Sequence, residues 1–174
     1  MKTLIAYRSK TGYTKKYAHW LAEALHCDCK EAPSVSELLS YDTVIYGGGL
    51  YMGKINGIKL ITDNFDQLKN KQLILFAVGI SPGKEEELET LWKNNLPSEE
   101  HLKTIKTFYL RGGFNYQKLD FKSKFLMYGL KKFYLERKEN PTEDDKGMLA
   151  MYDAPQDFTD RSALDNILKF LAEQ

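Results

Sequence analysis

The sequence predicts an α/β fold in which a doubly wound parallel sheet of five strands carries helices on both faces. Three observations predict it. Strand-like and helix-like stretches alternate along the chain, which implies a parallel sheet with right-handed crossovers. The run Gln72 to Val78 is apolar throughout, as a central strand buried on both faces must be. Thr3-Leu4-Ile5-Ala6-Tyr7 reads as a short buried strand, and it passes straight into a hydroxyl-rich turn and a helix.

The elements follow in order. The first helix is expected from about Gly12 to Leu25, with Tyr17, Trp20, Leu21, Ala24 and Leu25 on its apolar face. A second strand is expected near Asp28 to Ala32, then a turn from Pro33 and one helical turn within Ser34 to Ser40. Tyr41 to Tyr46 reads as the third strand, stopping at Gly47-Gly48-Gly49. Ile58 to Leu68 reads as a helix with Leu60, Ile61, Phe65 and Leu68 inward. After the Gln72 to Val78 strand, Lys84 to Lys93 forms a helix whose first turn carries Glu85, Glu86 and Glu87, as the helix dipole favours. Thr104 to Arg111 is the fifth strand. Leu119 to about Lys138 reads as a further helix, Asn140 to Lys146 as a polar loop, Gly147 to Tyr152 as a short strand, and Asp157 to Leu171 as the last helix.

At 174 residues the chain is expected to be one domain, residues 1–174, with a helical insertion at about 119–139. Twenty-five basic and 24 acidic residues leave a formal charge of +1, so bulk charge names no partner and nothing points to nucleic acid. No apolar run approaches the roughly 18 residues of a membrane span, and the chain opens on a strand, so a cytoplasmic protein is expected. Cys27 and Cys29 read as small buried side chains on a strand. The three histidines are scattered, and no metal site is expected.

A strand that ends in Ser9-Lys10-Thr11-Gly12-Tyr13-Thr14 at a helix N-terminus is suited to an anion. Backbone N–H groups, the Ser9, Thr11 and Thr14 hydroxyls and the helix dipole all favour negative charge there. Three more strand ends are rich in glycine: Gly47 to Gly53, Gly79 to Gly83, and Gly112 to Phe114. In a parallel sheet all four meet on one rim, where glycine lets the backbone approach a flat ligand. A P-loop is absent, and Gly12 alone does not make a dinucleotide fingerprint.

The turn Ser9-Lys10-Thr11-Gly12-Tyr13-Thr14 resembles the FMN phosphate loop of flavodoxins, and its place between strand one and helix one is the same. The resemblance covers essentially the whole chain and implies a flavodoxin-like sheet of order 2-1-3-4-5. Tyr13 stands where asparagine is frequent in that family. A closer similarity is to the branch typified by menaquinone-dependent protoporphyrinogen oxidase. Tyr41 to Gly47 with Leu50-Tyr51-Met52-Gly53, Arg111 to Tyr116, and the helix after Leu119 carry it. By position, the resemblance implies that Ser9, Lys10, Thr11, Gly12, Tyr13 and Thr14 bind the FMN phosphate. It implies that Gly49, Leu50, Tyr51, Met52 and Gly53 line one side of the isoalloxazine. Val78, Gly79, Ile80, Ser81, Pro82 and Gly83 would line the other, with Gly113 and Phe114 nearby. Tyr51 is either the residue that stacks on the ring or a surface loop tyrosine. Lys10 either adds charge at the phosphate or is a solvated lysine. The cofactor carries the redox chemistry, so no catalytic acid or base is named.

From Lys118 to Lys138 seven basic residues stand against only Asp120 and Glu136, interleaved with Phe121, Phe125, Leu126, Met127, Leu130, Phe133 and Tyr134. Such a helix either packs on the sheet edge with a solvated lysine face, or meets an anionic substrate or a membrane surface. Flavodoxins that shuttle electrons to basic partners are typically strongly acidic, and this chain is not. The expected function is therefore an FMN-dependent oxidoreductase or electron-transfer protein, quinone-linked or acting on a porphyrinogen-like substrate. A soluble carrier without its own substrate and an FMN-binding regulatory module are the alternatives.

Overall fold

The computed structural model describes residues 2–173, with residues 143 and 144 described by backbone alone. Its centre is a sheet of strands β1 (Thr3–Arg8), β2 (Asp28–Glu31), β3 (Thr43–Tyr51), β5 (Gln72–Gly79) and β6 (Ile105–Arg111), with the two-residue β4 (Lys54–Ile55) added on β3. The order is β2-β1-β3-β5-β6, and all pairs in it are parallel. Counted without the short β4, this is the order 2-1-3-4-5.

Alternation along the strands divides the core in two. Leu4, Val44, Leu73 and Ile105 form one row across four strands and face one layer. Ile5, Ile45 and Ile74 form the next row and face the other. The first layer is covered by α2 (Val35–Leu39), α3 (Lys59–Thr62), α4 (Phe65–Leu68) and α5 (Glu85–Asn95), through Leu38, Ile61, Phe65, Leu68 and Leu91. The second is covered by α1 (Tyr13–Leu25) and the C-terminal α9 (Asp165–Ala172), through Tyr17, Ala18, Leu21 and Ile167. Within α1, Ala18 is buried and Ala24 exposed, so the apolar face is centred nearer Tyr17 and Leu21 than expected.

Several elements differ from expectation for identifiable reasons. β3 does not stop at Tyr46 but runs through all three glycines to Tyr51. A side chain at Gly47 would fall inside the ring of the fully buried Phe76, and one at Gly48 would overlap Ile55. These glycines are there because neighbouring bulk leaves no room for a Cβ. The expected Ile58 to Leu68 helix is two short ones. Asn64 leaves helical geometry at φ −116° and its Nδ2 donates to the Leu60 carbonyl at 3.0 Å, competing with the helix backbone. A helix α6 (Glu99–Thr104) precedes β6 where none was expected, with Ser98 as its N-cap.

The segment after β6 departs most. Gly113–Phe114 forms β7, which pairs antiparallel with β8 (Gln156–Asp157) in a separate ribbon. The chain thus leaves at Phe114 and returns at Gln156, and this excursion is the insertion. It holds α7 (Phe121–Leu130), a π-turn at Lys131–Leu135 and α8 (Glu143–Asp153). The expected loop at Asn140 to Lys146 and strand at Gly147 to Tyr152 are largely this last helix. Thr142 and Asp145 start it with a reciprocal capping box, at 3.2 Å and 2.7 Å. The final helix begins only at Asp165. Before it, Asp157 and Asp160 each accept a backbone N–H two residues on, at 2.9 Å, and hold the chain in turns.

Candidate functional site

The C-terminal ends of β1, β3, β5 and β6 lie on one rim, in register from Arg8 opposite Gly48 to Gly79 opposite Arg111. The Ser9 to Thr14 turn closes one end of it. Gly12 sits at φ 97°, a left-handed conformation that glycine adopts without strain, and no side chain would clash there. Its N–H donates to Ser9 Oγ at 3.1 Å, which leaves the Ser9 hydroxyl proton free to donate outward. Helix α1 has no side-chain cap and no acid in its first turn, and its first backbone bond runs from Lys16 N to Gly12 O. The N–H groups of Tyr13, Thr14 and Lys15 are therefore orphan donors at the positive end of a 13-residue helix. That donor set, with the Ser9 hydroxyl, fits a phosphate; the Thr11 hydroxyl bonds to the Tyr51 phenol and Thr14 is buried beneath the turn.

Tyr51 is partly buried and folds back over this turn. A Cβ on Gly49 would lie 3.2 Å from both Thr14 Oγ1 and the Tyr51 ring, so the ring lies across Gly49 towards the cradle. Burial raises the Tyr51 phenol pKa, and the nearby Thr11 hydroxyl and Lys10 backbone partly oppose this. Lys10 stacks its ammonium over the Tyr51 ring at 4.9 Å and pairs with Asp120 at 3.2 Å. Asp120 caps α7 by accepting from Ser123 N at 2.8 Å. That bond, followed by Lys10, holds its carboxyl down at about 2. Lys10 is thus exposed yet paired, and it joins the cradle to the insertion.

At the other glycine-bearing ends, side chains of the protein itself come close to the backbone. At Gly79 an added Cβ would meet the Tyr109 hydroxyl at 2.5 Å, and at Gly83 it would meet the Tyr109 ring at 2.6 Å. At Gly113 it would meet the Tyr13 ring at 2.6 Å. These glycines admit tyrosines of the protein itself. Tyr13, counted among the cradle residues, donates to Gln156 O at 2.9 Å and so anchors β8. Phe114 packs edge-on against Tyr152 of the insertion. Val78 is buried, and the Gly79 and Ile80 carbonyls accept from Gly112 N and Arg111 Nε. Met52 and Gly53, at φ 51° and 74°, are the two central residues of the tight hairpin between β3 and β4, with Met52 exposed at the tip.

Beside this hairpin opens a cavity of about 190 Å³, lined by Leu50, Gly53, Ser81, Leu88, Leu91 and Tyr109 among others. Tyr109 is the residue that sequence reasoning missed. Its hydroxyl donates to Ser81 O at 2.9 Å and lies 3.2 Å from Ser81 Oγ. Its position near the carboxyl end of β6 was the available signal. Away from the rim, Cys27 and Cys29 are half-buried against the second core, and desolvation pushes the Cys27 thiol up to about 11. Among the described residues no group of three His, Cys, Asp or Glu side chains could hold a metal.

Comparison with known families decides the class. Residues 4–141 match the family model described as a flavodoxin domain. The chain belongs to the flavodoxin domain family. This flavodoxin-domain chain also aligns with solved structures. With a WrbA-like flavodoxin from Agrobacterium tumefaciens it shares 15% identity, over 80% of this chain and 99% of that one, at a TM-score of 0.43. With a Lactobacillus acidophilus flavoprotein in complex with FMN it shares 18% identity, over 63% and 91%, at a TM-score of 0.39. With Megasphaera elsdenii flavodoxin it shares 20%, over 63% and 82%, at a TM-score of 0.41. No curated protein matches the flavodoxin-domain chain.

Proposed function

We propose that this flavodoxin-domain protein binds FMN and acts as an oxidoreductase or electron-transfer protein. The observation that carries this reading is the uncapped α1 N-terminus within a turn of three hydroxyl side chains, a donor set that a monophosphate satisfies. FMN, when bound, supplies the redox chemistry. Ser9, Thr11, Thr14 and the backbone from Gly12 would hold the phosphate. Leu50 to Gly53 and Gly79 to Gly83 would flank the ring, with Tyr51 turning from the cradle to cover it.

The finer reading, also proposed, is an apolar acceptor of the quinone class or a porphyrinogen-like substrate, as in the branch that the sequence resembles. Leu50, Leu88 and Leu91 give the cavity an apolar lining alongside Glu87, Thr90 and Asn94, and that lining supports an apolar ligand beside the rim. The near-neutral charge speaks against steering toward a basic protein partner.

The test is a fluorescence titration of purified protein with FMN and with riboflavin. FMN binds, and Thr11→Ala with Thr14→Ala weakens FMN by about tenfold or more while leaving riboflavin nearly unchanged, because the lost hydrogen bonds go to a charged group. A protein that takes up neither ligand, or a double variant that weakens both equally, overturns the reading. Anaerobic reduction followed by a soluble menaquinone analogue tests the acceptor. Reoxidation no faster than buffer controls removes the quinone reading.

A further inference from the structure

The insertion presents large apolar side chains to solvent along one continuous helical run. Phe121 is 84% exposed, Phe125 73% and Phe133 68%. Leu126, Tyr128 and Tyr134 are each at least half exposed. These side chains do not pack on the sheet edge. The run is held instead by Leu119 and Leu135, which are buried near its ends, and by polar ties to its backbone. Tyr116 Oη donates to Lys124 O at 3.3 Å and Tyr152 Oη to Met127 O at 2.8 Å.

The charge on the same segment is mostly basic, although Lys131 and Lys138 pair with Asp153 and Asp145 of α8 at 3.7 Å and 2.6 Å. Seven basic residues stand within 118–138 against Asp120 and Glu136. Asp120 is taken by Lys10, and Glu136 by Lys132 at 2.8 Å. Lys118, Lys122 and Lys124 pair with no carboxylate among the described residues. Phe121 and Phe125, with Lys122 and Lys124 between and beside them, give an apolar body with cationic flanks. Long lysine stems allow the ammonium to stay in water while the helix lies among headgroups.

We propose that α7 and the π-turn after it are a docking surface for an anionic lipid bilayer, with Phe121, Phe125 and Phe133 inserted at the interface and Lys118, Lys122 and Lys124 on the headgroups. The run of Phe121 to Leu135 is about 22 Å long, enough to lie in the interface and too short to cross it. No helix among the described residues is long and apolar enough to span a membrane. A convex helix bearing aromatic side chains and unpaired lysines offers a protein partner no groove, whereas charge complementarity favours a sheet of phosphates. The Lys10–Asp120 contact sets this surface beside the cradle. The proposal does not rest on the cofactor reading.

The test is cosedimentation with phosphatidylcholine vesicles, with and without phosphatidylglycerol. The protein binds the anionic vesicles, binds pure phosphatidylcholine far less, and is released by high salt. Replacing Lys118, Lys122 and Lys124 by glutamine weakens binding roughly fivefold for each lysine. Phe125→Ser with Phe133→Ser weakens it by about tenfold or more. A Phe125→Trp variant shifts its emission to the blue on vesicles. Circular dichroism of each variant confirms the fold. Absence of vesicle binding at low salt, or binding that neither set of changes alters, overturns the proposal. So does a dimer in sedimentation equilibrium that Phe125→Ser with Phe133→Ser dissolves, since a second copy would then cover the face. FMN content is measured on the same samples. Vesicle binding without FMN keeps this proposal and sinks the cofactor reading, and FMN binding without vesicle binding does the reverse.

Discussion

The rim and the insertion are built on opposite plans. At the rim, strand ends converge and glycines let tyrosines and strands approach within van der Waals distance, so Tyr109 fills the space beside Gly79 and Gly83. In the insertion, Gly129 and Gly147 meet nothing within 4 Å, and phenylalanines stand in solvent. One region is specified by packing and the other by local hydrogen bonds. A mutation should therefore act globally in the first and locally in the second.

Gly47→Val tests the packed side most severely. The new side chain overlaps the buried Phe76 ring, and urea denaturation should show a loss of about 3 kcal/mol. An unchanged midpoint would show that this layer can give way. Tyr17→Phe comes next. The Tyr17 hydroxyl donates to Arg111 O at 2.7 Å and accepts from Asp160 N at 3.0 Å, so it ties α1 to β6 and to the turn before α9. Its loss should cost about 1–2 kcal/mol of global stability. On the insertion side, Gly129→Ala should stabilise α7 by about 1 kcal/mol. The gain should appear as slower hydrogen exchange in α7, with little change in the global midpoint. A matching global gain would mean that the insertion unfolds together with the sheet.

The smallest effect is at the joint between the regions. The Asp120 carboxyl is held at about 2, below its ordinary value, so its contribution is present above the ordinary carboxylate pKa of about 4 and fades as pH falls toward 2. Exchange protection at the start of α7 should fall over that range in the native chain and be low at all pH values in Asp120→Asn. High salt should reduce the part due to Lys10, because both partners are partly exposed. Equal protection in the variant and the native chain would show that the joint holds nothing.

Much of the rim was legible in the chain itself. The Gln72 to Val78 run and the alternation of strands and helices imply the sheet, and Ser9 to Thr14 imply the cradle, because burial on both faces and helix-end electrostatics act over a few residues. What was misread depends on partners distant in sequence. That Phe76 stands against Gly47, Tyr109 against Gly79 and Gly83, and Tyr13 against Gly113 is not written in the residues around those glycines. The insertion was harder still. Gly147 to Tyr152 carries apolar residues that suit a strand, yet the capping box at Thr142 begins a helix. Whether Phe121, Phe125 and Phe133 are core or surface is not written in their spacing.

The sequence by itself determined the parallel α/β sheet, its five main strands, the hydroxyl-rich turn at Ser9 to Thr14 before a helix and the basic, aromatic character of residues 118–138. These follow from short-range rules: periodicity, turn chemistry and charge. The tertiary structure alone decided which glycines make room for protein and which for open space. It alone set Lys10 between Tyr51 and Asp120, and left the α7 aromatics uncovered. Each of these depends on which distant side chain arrives at a given place, and a local pattern carries no record of that.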